Sequence, residues 1–177
     1  MGDYRPKIEQ RIIRELALMA LLLSVALFQT ALAPALWFFR IDWVLVAVVS
    51  WTLIRGLNAG LRWAAYGGVM LDLLSPLPIG AHLFALLVAV TIIAVMTDGL
   101  PRDNRLVPTM SIVLVSLPYA LCLGTIMAFT GRPVAWAYYP LTVMLPTALA
   151  NGAATLPVYL LQDRFNRPKR PEISFDF

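Results

Sequence analysis

Charged positions are scarce along this chain, and the apolar runs between them set its architecture. Uninterrupted stretches without a formal charge cover residues 16–39, 73–97, 106–131 and 133–162, which are 24, 25, 26 and 30 residues long. Each supplies the roughly 20 apolar residues that a membrane-spanning helix needs. Two shorter stretches, 43–54 and 63–71, offer only 12 and 9 positions before Arg55 and Asp72 interrupt them. They read as two short helices joined near 55–62 and crossing a thin region. The alternative, a hairpin that dips in and returns, would strand Arg55 and Arg62 at membrane depth. The pattern predicts an all-α polytopic membrane protein with six transmembrane helices at about 16–36, 42–54, 63–75, 79–97, 106–129 and 140–162. Residues 1–15 form an N-terminal segment whose last part suits an interfacial helix, and 163–177 form a polar, basic tail.

Composition agrees: 60% of the residues are hydrophobic and the mean hydropathy is +0.76, a membrane profile rather than that of a soluble core. The first run is longer than a signal-peptide core and ends without a small-residue cleavage site, so it is expected to be retained. A sequence pI near 9.6 would suggest nucleic acid in a soluble protein. Here the placement of the basic residues carries more information, and no nucleic-acid partner is expected. With six crossings and both termini cytoplasmic, Arg5, Lys7, Arg11, Arg14, Arg55, Arg62, Arg102, Arg105, Arg164, Arg167, Lys169 and Arg170 all fall inside, leaving Arg40 and Arg132 outside. That asymmetry follows the positive-inside rule. Aromatic groups at Trp37, Phe38 and Phe39, and at Trp136, Tyr138 and Tyr139, fall where helices should leave the hydrocarbon. Pro118 is expected to kink the fifth helix. The segment 98–105 contains proline, glycine, acids and arginines and should be a turn in water.

The chemistry is concentrated in the stretch 55–85. Gly56, Gly60, Ala64, Gly68 and Asp72 recur at every fourth position, with Gly67 beside Gly68. Small residues at this spacing allow a second helix to approach closely, whether from the same chain or from a partner. The row drifts around the helix and Arg62 suits a loop, so 64–72 is the better part of that face. Asp72 lies in an apolar run ahead of Pro76, Pro78 and Gly80, with His82 ten residues on. An acid there either holds backbone amides at the chain break around 75–78 or serves as a relay, a ligand group or a partner contact. His82 can reach it if the third and fourth helices form a tight hairpin. Gln29 and Asn151 are expected to hydrogen-bond between helices. A lone histidine and the single cysteine, Cys122, do not make a metal or disulfide framework, and no nucleotide or nucleophile signature is present. No cofactor and no enzymatic activity are expected.

The run Gly67-Gly68-Val-Met-Leu-Asp72-Leu-Leu-Ser75, followed by Pro-Leu-Pro-Ile-Gly80-Ala-His82-Leu, resembles the MreD family of rod-shape-determining proteins. The resemblance implies a non-enzymatic subunit of the elongasome in the bacterial cytoplasmic (inner) membrane. Such a subunit would bind the bitopic scaffold MreC and, in the same assembly, work with MreB filaments, the glycosyltransferase RodA and a class B penicillin-binding protein in peptidoglycan synthesis. It also implies a fold similar to the S components of energy-coupling-factor transporters. Asp72, Gly68 and Gly80 match the family's motif; together with Gly60, Ala64, Gly67 and His82 they are the expected partner-contacting or structural positions, with the small residues as a groove for the MreC helix and the basic face toward membrane lipid. The competing reading is an S-component-like protein that binds a small substrate for transport near Asp72 and His82.

Overall fold

A computed structural model describes residues 8–32, 41–97 and 106–166. The N-terminal seven residues, the first aromatic group with Arg40, the 98–105 turn and the basic tail from 167 lie outside the described residues, and most of the basic positions lie there too. Six α-helices follow in order: α1 (Ile8–Leu27), α2 (Trp43–Arg55), α3 (Leu57–Leu74), α4 (Ala81–Thr97), α5 (Leu106–Phe129) and α6 (Leu145–Asn166). A π-helical turn, Phe28–Leu32, extends α1, and another, Pro140–Met144, leads into α6. No strand occurs among the described residues.

Among the described residues, three stretches are long and apolar enough to cross a membrane: Ile8–Ala31, Val107–Phe129 and Pro140–Phe165. The expected interfacial helix is not a separate element, because α1 is continuous from Ile8. Pro118 sits inside α5 without ending it. The third helix begins six residues before its expected start at 63, so Arg62 belongs to α3 and not to a loop. The reason is Gly56. Its φ of 85° and ψ of 179° lie in a region essentially reserved for glycine, and this single residue turns the chain from α2 into α3. At the same end of the bundle, Arg62 pairs with Glu15 of α1 at 2.9 Å, and Arg55 stacks over Trp51, which itself stacks on Trp63.

The shortest helix is the central one. α2 packs against all five others, and seven of its 13 residues are buried. At about 20 Å it is shorter than the roughly 30 Å hydrocarbon layer, but a helix enclosed by protein does not have to match the lipid thickness. Around it α1, α3, α4, α5 and α6 pack in that order, while α1 and α6 make no extended contact with each other. Among the described residues, the result is an open ring around α2.

The glycines of α3 set its distance to its neighbours. A side chain on Gly60 would meet that of Thr52, and one on Gly67 would lie 2.8 Å from Val44, so both residues face α2. Seven residues turn a helix through nearly two full turns, about 20° short, which keeps Gly60 and Gly67 on one face. Gly68 is rotated about 100° further and faces α4, where a Cβ would collide with the Leu83 backbone. A side chain such as Val44 can yield, whereas a helix backbone cannot. Gly68→Ala should therefore destabilise the purified protein by about 1–3 kcal/mol, and Gly67→Ala by less. Thermal unfolding of both variants in the same detergent checks the order.

Candidate functional site

Two prolines and a glycine stop α3 and restart the chain as α4. Ser75 is extended, with φ −100° and ψ 148°, and its Oγ accepts the Leu77 N–H at 3.2 Å. Gly80 takes φ 98° and turns the chain into α4. The first amides of a helix have no partner within it, and in an apolar bundle each needs an acceptor. Asp72 supplies most of them from the preceding helix. Its Oδ2 accepts the N–H of Gly80 at 2.9 Å and of Leu83 at 3.2 Å, and its Oδ1 accepts that of His82 at 2.8 Å. The Ala81 N–H donates to Pro78 O and the Phe84 N–H to Gly80 O, which completes the first turn. Asp72 is 4% exposed, and its carboxylate thus caps α4 and lies where the helix dipole favours negative charge.

Gly68 and Asp72 work as one unit. They are four residues apart on α3, and the missing side chain of Gly68 lets the α4 backbone come close enough for the short Asp72 side chain to reach its amides. His82 Nδ1 also lies 3.0 Å from Asp72 Oδ1. With the ring anchored there, Nε2 has no partner among the described residues. The ring lines a cavity of about 550 Å³ at the far end of the bundle, where α1, α3 and α5 finish.

The sequence-marked residues thus fall into two groups. Asp72, Gly80 and His82 meet at the start of α4. Gly60, Ala64, Gly67 and Gly68 are buried against helices of the same chain, which leaves them no room to receive a helix from another protein. The groove expected from the small-residue row is filled by α2 and α4.

A second cap was only partly legible. Gln29 from the π-helical turn accepts the Val44 N–H at 3.0 Å and donates to Asp42 Oδ1 at 3.3 Å, while Asn151 of α6 accepts the Asp42 N–H at 2.8 Å and donates to Ser116 at 3.0 Å. Both stood out as polar residues in apolar runs, but their target, the N-terminus of α2, left no local signal. Arg132, beyond α5, donates to Pro76 O at 2.8 Å across the cavity rim. It was read only for topology.

Asp72→Ala would orphan three partly buried amides at once, at about 1 kcal/mol or more each, whereas His82→Ala removes one side-chain contact and leaves the cap in place, at about 1 kcal/mol. The first variant should fail to give a monodisperse protein in detergent and the second should give one with a modestly lowered Tm. Size-exclusion profiles and thermal unfolding read both.

No curated protein and no solved structure matches the chain. A family model described as rod shape-determining protein MreD matches residues 9–165, from the beginning of α1 to the end of α6. The matched region contains both caps and the whole helical bundle, and the chain belongs to the MreD family.

Proposed function

We propose that this chain is a non-enzymatic membrane subunit of the machinery that elongates the lateral wall of rod-shaped cells. In this reading it lies in the cytoplasmic membrane with six crossings and both termini inside. It seats the single spanning helix of MreC and thereby helps organise peptidoglycan synthesis by RodA, a class B penicillin-binding protein and MreB. Family membership supports a role in rod-shape determination, and the shape of the bundle supports a seat for one helix.

The observation that carries the docking proposal is the opening in the ring between α1 and α6. There α2 has a partly exposed stripe of Trp43, Ala47 and Trp51, spaced four apart. Trp43 packs edge-on against Phe28 at the end of α1, and the Ala47 carbonyl accepts the Gln162 amide of α6 at 3.1 Å. Trp43 and Ala47 therefore lie between those two helices, while Trp51 continues the stripe toward Trp63 of α3. Close packing is what joins helices in lipid, and an apolar stripe with a small residue at its middle favours a single spanning helix as partner.

Site-specific photo-crosslinking tests the seat. A photoreactive residue at Ala47 should give an adduct with co-expressed MreC of the same organism, while one at Phe84, exposed on α4 across the bundle, should not. Adducts from Phe84 alone would move the seat to another face. Failure of the two proteins to co-purify would remove the docking reading altogether.

A further inference from the structure

The cavity at the far end has the dimensions and lining of a ligand site. Its volume of about 550 Å³ falls within the range of roughly 300–1,000 Å³ usual for pockets that hold small molecules. Its wall is mostly apolar, with Leu74, Leu123 and Met127 among the contributors, and a few polar groups converge on it. Two of these groups suit an anion. Arg132 spends one donor on the Pro76 carbonyl, and among the described residues no carboxylate pairs with its guanidinium. His82 is fixed through Nδ1, so its remaining nitrogen is the one available to the cavity. The acid on the wall, Asp42, already accepts the Gln29 amide, and its backbone N–H is held by Asn151. A cation and an imidazole beside an apolar chamber select a molecule with one charged end and one greasy end.

We propose that this cavity binds a small anionic amphiphile, with its phosphate or carboxylate against Arg132 and His82 and its apolar part against Leu123 and Met127. Free anions lack the apolar part, and cationic amphiphiles would place charge against the guanidinium. The two caps that start α2 and α4 border the same space, so the chamber is built from elements the fold already holds rigid. The assignment is independent of MreC docking, because the opening between α1 and α6 and the cavity use different residues.

Decyl phosphate is the probe, with inorganic phosphate and decyltrimethylammonium as the contrasting arms, titrated calorimetrically into the intact protein in maltoside micelles. One equivalent of decyl phosphate should bind. Arg132→Gln should weaken it about tenfold, the value of one charged hydrogen bond of roughly 1.5 kcal/mol. Leu123→Trp, which fills the chamber without altering a charge, should abolish binding. Each variant is compared only if its thermal unfolding is that of the parent. Equal binding of the cationic probe, unchanged affinity in both variants, or inorganic phosphate binding as tightly as decyl phosphate would each overturn the assignment.

Discussion

A helix that begins inside an apolar bundle exposes amides that neither lipid nor its own backbone can satisfy, and this constraint organises the chain. Three of the six helices, α2, α4 and α6, begin at the far end of the bundle beside the cavity, and the first two are started by side chains from elsewhere: Gln29 and Asn151 for α2, Asp72 for α4. An unsatisfied buried amide costs a few kcal/mol, so these polar residues are conditions for the fold rather than additions to it. Their cost in an apolar run is offset by the amides they satisfy.

Such caps work only if the backbones come close, and closeness is set by what is absent. Gly68 lets α4 approach Asp72, while Gly60 and Gly67 let α2 lie against α3 along the same helix. α3 therefore holds the bundle together on two faces, with one glycine face against α2 and one glycine plus the carboxylate against α4. Gly56 places α2 and α3 side by side by reversing the chain within one residue. Its glycines are thus spent on helices of the same chain.

Enclosing α2 has a second consequence. Five helices around a sixth need not close, and the break between α1 and α6 leaves a slot on one side, while the converging helix ends leave a chamber at the far end. The chamber carries an arginine and an anchored histidine. Asp72 itself is committed to backbone amides.

The helices, their order and the polar residues that matter were determined by the sequence alone, because apolar runs and turn residues are local features. α5 spans 106–129 as its hydropathy predicts, and Asp72, His82, Gln29 and Asn151 stand out by their rarity in lipid-compatible runs. The start of α3 was misplaced because a charge at Arg62 looks like a loop until Glu15, 47 residues away in sequence, is found beside it. Only the tertiary structure decided which face each glycine serves, that α2 is central, and that Asn151 caps a helix 109 residues earlier in the chain. Those facts depend on which helices become neighbours, and in an apolar environment that choice is made by close packing and amide satisfaction between distant segments, neither of which leaves a periodic trace in the residues themselves.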